Sequence, residues 1–315
     1  MTLPAIKRTR ASMPLHPLPS SEAELQHCLS DPEWRVFSGC LYKIMIKGDD
    51  DEADSFVVPF KPNWAQRRFI ERLWHRNIIL KARQLGFTTL IAILWLDHAL
   101  FNANQRCGIV AQDRDTAESI FRDKVKFAYE NLPEDLRQRY PLAKDSASEL
   151  LFAHNNSSIR VATSLRGGTI HRLHVSEFGK ICALYPLKAA EVITGSIPAV
   201  PLNGISVIES TAEGRTGEFF DLTMRAQALH HSVSEPMTER DYRFHFYAWW
   251  QEPLYSMDPT LVAVSKTEHE YFEEIEQEMG CIIDMGQRAW YMATLRGDFS
   301  GKEEKMWQEY PSTPG

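Results

Sequence analysis

The chain has 315 residues, 43% of them hydrophobic and 24% charged, with a formal net charge of −7. That length suits one large or two unequal cores, and the acidic balance speaks against a surface that grips nucleic acid throughout, leaving room only for a local basic patch. The longest strongly apolar stretch, 90–96, stops at Asp97 and His98, too short for a bilayer, and Pro14, Pro17 and Pro19 stand where a signal peptide would need an apolar core, so the expected compartment is a cytoplasm.

In chain order, residues 1–20 are Pro-rich and basic and read as a flexible arm. A short helical pattern opens at Ser21 and runs to Leu29. Residues 40–47 alternate like a strand, the acidic run 49–52 reads as a solvated turn, and 56–60 closes a hairpin. Residues 77–80 are a short buried strand, 81–87 a loop, and 88–100 a helix apolar on most sides. A strand at 107–111 and an amphipathic helix at 115–131 follow. A hairpin is expected from 150–153 and 159–162, then short strands at 173–175 and 205–208. Strands alternating with helices predict an α/β fold with a mainly parallel sheet and helices on both faces, its ligand at the strand C-terminal ends. After about residue 230 the character shifts: 242–250 is aromatic and strand-like, while 267–279 and 287–296 are helical. This last part reads as a small lid. The segments are therefore 1–55, arm and hairpin; 56–230, core; and 231–315, lid or linker subdomain.

Five scattered cysteines with no C-x-x-C pair read as reduced thiols, not a disulfide framework or a zinc site. His171 and His174 lie on a segment entering a strand, facing opposite sides, which disfavours a metal pair.

The chemistry concentrates at Lys81-Ala-Arg-Gln-Leu-Gly-Phe-Thr-Thr89. A phosphate loop has the pattern G-x-x-x-x-G-K-[ST] between a strand and a helix, because backbone N–H groups and the helix N-terminus together make an anion nest. Gly86 and Thr88 match it, the Thr88 hydroxyl being suited to magnesium. The usual lysine is replaced by Phe87 and the usual first glycine by Lys81. Lys81, at the other mouth of the loop, and Arg83, inside it, are the cations available for phosphate. Read alone, the stretch also fits an ordinary strand–turn–helix. Downstream, Leu173-His-Val-Ser-Glu177 is a short apolar strand ending in a carboxylate that can orient a water and accept its proton.

Taken together these residues resemble the large terminase family of tailed bacteriophages. The loop resembles that family's deviant Walker A, in which lysine moves to the loop's start, with its Arg-Gln-x-Gly core. Leu165-Arg-Gly-Gly-Thr-Ile-His-Arg-Leu-His-Val-Ser-Glu177 resembles its arginine–glycine segment and Walker B strand, with Ser-Glu for Asp-Glu. Ile208-Glu-Ser-Thr-Ala-Glu-Gly214 looks like its coupling motif, Pro59-Phe-Lys-Pro-Asn-Trp-Ala-Gln66 its adenine-recognising motif, and Trp307-Gln-Glu-Tyr-Pro-Ser-Thr313 the segment before its nuclease domain. The matches run in the family's order from about Val57 to the C-terminus.

The resemblance implies a P-loop NTPase of the RecA/ASCE type, with ATP and Mg2+ as cofactors. Lys81 would hold the γ-phosphate and Arg83 sense it. Ala82, Gln84, Leu85, Gly86, Phe87 and Thr89 would complete the phosphate loop. Thr88, with Ser176 through water, would hold magnesium, and Glu177 would activate the attacking water. Ser210 and Thr211 would report the nucleotide state to the lid. Gln66 would read the adenine edge, with Trp64 or Arg67 packing nearby, and Arg166 is a candidate trans-acting finger.

The implied function is the motor that drives double-stranded DNA into a procapsid, working as a homo-oligomeric ring on the portal protein with the small terminase subunit. It would act in the host bacterial cytoplasm without contact with a membrane. No acidic nuclease cluster is legible, so no DNA cleavage is expected, and the isolated chain is expected to be monomeric. Two other readings stay open. A P-loop helicase or remodelling ATPase of another lineage would share the sheet and the loop, but the Arg-Gln-x-Gly loop and the Gln-Glu-Tyr-Pro ending speak against it. A non-hydrolysing nucleotide-binding assembly module is favoured by Phe87 and Ser176.

Overall fold

A computed structural model describes residues 19–47, 55–231 and 236–315. The acidic run 49–52 and the arm before residue 19 lie outside the described residues. Two short helices come first, α1 (Glu22–Ser30) and α2 (Pro32–Phe37). Ser21 caps α1 by accepting from Glu24 N–H, and Asp31 caps α2 by accepting from Glu33 N–H, each satisfying a donor the helix itself cannot. Strands β1 (Lys43–Lys47) and β2 (Ser55–Pro59) pair antiparallel as the expected hairpin, Lys43 opposite Pro59, in a sheet of their own.

Helix α3 (Trp64–Glu71) then leads to β3 (Arg76–Lys81), α4 (Phe87–Phe101) and β4 (Arg106–Val110). The single helix expected over 115–131 is instead α5 (Arg114–Ile120) and α6 (Phe127–Glu130) joined by a π-helical turn, Phe121–Lys126. After α7 (Glu134–Arg139) come β5 (Leu142–Asp145), β6 (Glu149–Phe152), β7 (Ser158–Ala162) and β8 (Arg172–Ser176). Helices α8 (Phe178–Leu184) and α9 (Pro186–Glu191) precede β9 (Ile205–Ser210), α10 (Glu218–His231) and β10 (Tyr242–Tyr247).

Among the described residues the main sheet has eight strands in the order β10-β3-β9-β8-β4-β7-β6-β5. Strands β3, β9, β8, β4 and β7 run parallel, as the strand–helix alternation requires, while β6 and β5 continue antiparallel at one edge. Helix α4 packs on β4, β7 and β8. Four consecutive residues of it, Leu90, Ile91, Ala92 and Ile93, are each 0% exposed, which a helix with one wet face could not achieve.

Asp97, which interrupts the apolar run in the sequence, is an internal anchor. Arg35 of α2 binds it through two contacts of 2.8 Å, and the Tyr42 hydroxyl donates to it at 2.7 Å. The arginine's planar fork matches both carboxylate oxygens, which is what makes a buried charge at this position tolerable.

The chain divides into two compact units. The larger comprises the described residues of 15–80 and 84–245, and so most of the main sheet. The described part of the smaller is 81–83 with 246–315, including α11 (Lys266–Met279), α12 (Met285–Gly297) and α13 (Glu303–Glu309). Its core is aromatic: Trp249 stacks on Trp290 at 5.9 Å, meets Tyr291 at 4.7 Å, and donates from Nε1 to the Ser312 hydroxyl at 2.9 Å. Ser265 and Asp284 close capping boxes with Glu268 and Gln287, which explains the sharp starts of α11 and α12. Within this unit Ala82 N–H donates to Tyr247 O at 2.8 Å and Arg83 N–H to Glu309 O at 3.1 Å. Among the described residues no helix is long and apolar enough to cross a membrane.

Candidate nucleotide-binding site

The loop between β3 and α4 contains two residues in the left-handed region, Gln84 at φ 58° and Gly86 at φ 74°. Left-handed residues break the run of helical backbone and let successive N–H groups converge on one concavity, the geometry of an anion nest. Gly86 has a second reason to lack a side chain, because a Cβ there would stand 2.8 Å from Gln66 Nε2. Ala82 and Leu85 are buried, while Gln84 is exposed.

Helix α3 braces this loop. Asn63 caps the helix and donates from Nδ2 to Leu85 O at 3.1 Å. Gln66 accepts from Asn63 N–H at 2.9 Å and donates from Nε2 to Gly86 O at 2.7 Å. Both ends of the Gln66 amide, expected at an adenine edge, are therefore engaged with the helix cap and the loop. Trp64 opens α3, and Arg67 donates to Pro62 O at 3.0 Å with its guanidinium 5.2 Å over the Phe37 ring.

Phe87 begins α4 and turns inward. It is 1% exposed and meets Phe69 edge-on at 5.8 Å, so the position where lysine is usual belongs to the core. Lys81 ends β3 and is buried. Arg83 has a half-exposed side chain, its Nε 3.4 Å from a Glu309 carboxylate oxygen of the same compact unit. The Tyr255 hydroxyl donates to Arg83 O.

Thr88 and Ser176, expected to hold magnesium, come together: their hydroxyl oxygens are 3.5 Å apart, from the first turn of α4 and the last residue of β8. Both also meet Glu209 of β9. Ser176 donates to Glu209 Oε1 at 2.9 Å and Thr88 at 3.2 Å, while His174 Nε2 lies 3.3 Å from the same oxygen. Glu209 and His174 are each 0% exposed. Hydroxyls and a carboxylate are hard oxygen donors, the set that magnesium takes. His171 does separate work, accepting the Arg106 N–H at 3.0 Å.

Glu177 follows β8 at φ 53°, ψ 48°, a conformation that costs a non-glycine residue about 1–3 kcal/mol and concentrates at functional sites. Ser210, at the tip of β9, donates to Glu177 Oε2 at 3.4 Å, and Thr211 beside it is buried. Gly179 permits this approach: a Cβ there would stand 2.8 Å from Ser210 Oγ and 3.1 Å from Thr211 O. Arg166 is 56% exposed in its side chain and paired with Glu191 at 2.5 Å.

Two further side chains stand beside these residues, Glu209 and Lys124. Glu209 lies inside the stretch Ile208–Gly214, where a carboxylate within an apolar strand is the sequence signal of a buried polar group that needs partners. Lys124, on the π-helical turn, donates to the Thr89 hydroxyl at 3.0 Å, and burial pushes its ammonium pKa down. It sits far from the loop in sequence, and π turns, common at functional sites, leave little trace in hydrophobic periodicity.

No protein-family model matches this sequence, and no curated protein sequence does. Solved structures are similar to it. A point mutant of the large terminase ATPase domain from Thermus phage P74-26 has a TM-score of 0.51 at 15% identity, with 80% of this chain and 94% of that chain covered. The unaltered domain has a TM-score of 0.49 at 15% identity, covering 81% and 95%. The large terminase of bacteriophage HK97 has a TM-score of 0.49 at 15% identity, covering 73% of this chain and 51% of that one. The parallel sheet, with its glycine loop opening a buried helix, thus has the fold of a bacteriophage large-terminase ATPase domain.

Proposed function

We propose that this chain is the ATPase motor domain of a DNA-packaging terminase, binding ATP with Mg2+ at the β3–α4 loop and hydrolysing it to move double-stranded DNA into a procapsid. The observation that carries the reading is the approach of Thr88 and Ser176, flanked in the chain by Gly86 and Glu177, at the C-terminal ends of β3 and β8, two parallel strands with β9 between them, where open α/β sheets bind ligands.

In this reading the loop amides and the N-terminus of α4 cradle the phosphates. Lys81 neutralises the γ-phosphate and Arg83 senses it. Thr88, with Ser176 through water, would hold magnesium, which would offset phosphate charge. Glu177 orients the attacking water and takes its proton. Ser210, hydrogen-bonded to Glu177, reports whether the γ-phosphate is present, and Thr211 extends that report. With its amide committed to Gly86 O, Gln66 acts as a brace that ties loop conformation to α3.

Arg166 acts on a neighbouring copy within a ring seated on the portal, with the small terminase subunit as a further partner. The setting is the host cytoplasm. A non-hydrolysing nucleotide-binding module is the second reading, favoured by the burial of Phe87 where a lysine is usual.

Magnesium-dependent ATP hydrolysis decides between them, at a protein concentration high enough to assemble. Wild type should turn over, and Lys81→Ala and Glu177→Ala should each fall at least about a hundredfold. Full activity in Lys81→Ala would shift the phosphate role to Arg83. ATP binding without turnover, even with DNA and portal present, would favour the non-hydrolysing module.

A further inference from the structure

Resting on the nucleotide-site reading above, we propose that Glu209 supplies the negative charge of the magnesium subsite in place of the acid missing at Ser176, acting as a positioning residue through the hydroxyls of Thr88 and Ser176. A P-loop site of this kind is usually completed by a carboxylate at the end of the strand that here is β8. That strand ends Val175-Ser176, and a serine brings an oxygen but no charge.

The sheet order puts β9 between β3, which leads into the phosphate loop, and β8. Glu209 is in register with both, opposite Ile79 on one side and Ser176 on the other. Residues in register on neighbouring strands present their side chains to the same face. Glu209 therefore emerges beside Ser176, displaced by one strand, and its extra methylene relative to aspartate gives it reach.

Its hydrogen bonds have a chemical consequence. Thr88 and Ser176 both give their protons to Glu209 Oε1, at 3.2 and 2.9 Å. A hydroxyl that donates to a carboxylate turns its lone pairs away from it and becomes the more basic ligand, the way outer carboxylates tune inner ligands at metal sites. One oxygen thus aims two hydroxyls at a common point and brings a charge next to it. Serving as this shared acceptor, with His174 Nε2 also 3.3 Å from the same oxygen, accounts for a wholly buried carboxylate at the fifth position of Ile-Ser-Val-Ile-Glu-Ser, an otherwise apolar and small-polar strand.

The test separates metal from nucleotide by measuring ADP affinity in EDTA and in Mg2+, with Mn2+ resonance spectra of the bound ion as a second readout. Wild type should bind ADP more tightly with metal. Glu209→Gln, which keeps the size and an acceptor oxygen but loses the charge, should bind ADP normally in EDTA while its metal-dependent tightening falls about tenfold or more. Glu209→Asp should retain most of the tightening. The double variant Ser176→Asp with Glu209→Gln, which returns the charge to β8, should recover it. A wild-type ratio in Glu209→Gln overturns the proposal, as does a loss that affects metal-free binding equally. If wild type binds ADP but metal does not tighten it, Glu209 has no such role although the nucleotide site stands. If wild type binds no adenosine nucleotide in either condition, the nucleotide-site reading fails first.

Discussion

Restoring the usual phosphate-loop lysine by Phe87→Lys should damage this protein. Phe87 is 1% exposed and its ring meets Phe69 edge-on at 5.8 Å, with Phe69 in turn 5.1 Å from the buried His245 ring. Removing a buried phenyl ring costs about 3–5 kcal/mol when only a cavity is left. A lysine stem refills part of that volume, but its ammonium would be placed in an apolar wall, and an unpaired buried charge adds several kcal/mol unless it can reach water. The net loss should be at least about 3 kcal/mol, a large part of the roughly 5–15 kcal/mol that keeps a domain folded. Phe87→Leu, which stays apolar and leaves only a small void, should cost about 1–2 kcal/mol. At about 2 cal/mol/K of unfolding entropy per residue, each kcal/mol shifts the melting temperature of 315 residues by about 1.5 °C, so the lysine variant should melt at least about 4 °C below wild type. Its ATP affinity should not improve. A Phe87→Lys protein that melts within about 2 °C of wild type and binds ATP more tightly would refute the reasoning, because it would mean that position 87 opens onto the phosphates.

The loop's backbone gives another test. Gly86→Ala forces an alanine into φ 74° with its Cβ 2.8 Å from Gln66 Nε2, so it should cost about 2–4 kcal/mol and weaken nucleotide binding. In a Gln66→Ala background the same change should cost about 1 kcal/mol less, and strict additivity in urea unfolding would count against the brace. Burial, with help from nearby arginines and His230, lowers the His245 pKa to about 3 from an ordinary value near 6.5. Between those values the unfolded chain binds the extra proton, so this contribution to stability is complete above about pH 6.5 and is lost as pH falls. At pH 5 the loss should be about 2 kcal/mol relative to pH 7, and it should vanish in His245→Gln. An unchanged pH 7-to-5 gap in that variant, measured by denaturant titration, would contradict a neutral buried imidazole. Arg166 is half exposed, and an exposed pair such as its contact with Glu191 is worth at most about 1 kcal/mol, so it is easily traded for another partner. If it serves a neighbouring copy, wild-type turnover per molecule should climb with protein concentration while Arg166→Ala stays flat. A parallel rise in both would end that assignment.

Much of the parallel core is local information. Asn77, Ile78, Ile79 and Leu80 read as a buried strand because β-branched and apolar residues run without alternation, and they lie within the fully buried β3. Gly86-Phe-Thr-Thr opening an apolar helix is equally local, since the turn chemistry and the helix start lie within a few residues. The π-helical turn in place of one continuous helix was not legible, because inserting a residue into the hydrogen-bond ladder barely alters the hydrophobic period over 115–131. Helix α3 escaped as an element for a different reason. Its signal is the Asn63–Gln66 capping box, whose glutamine also fits the pattern of a ligand-facing side chain.

From the sequence alone came the strand–loop–helix, the candidate phosphate nest, the pairing of Ser176 and Glu177 at a strand end, and the order of the motifs. These follow from residues close together in the chain, where backbone preferences and side-chain types act directly. Only the tertiary structure decided that Phe87 faces the core, that Gln66 spends its amide on the loop, and that Glu209 lies against Thr88 and Ser176. Each depends on which strands become neighbours and in what register. Strand β9 lies between β3 and β8 although more than a hundred residues separate it from β3 in sequence, and no local preference encodes that adjacency. It is selected by the burial of whole faces of the sheet, a property of the assembled core.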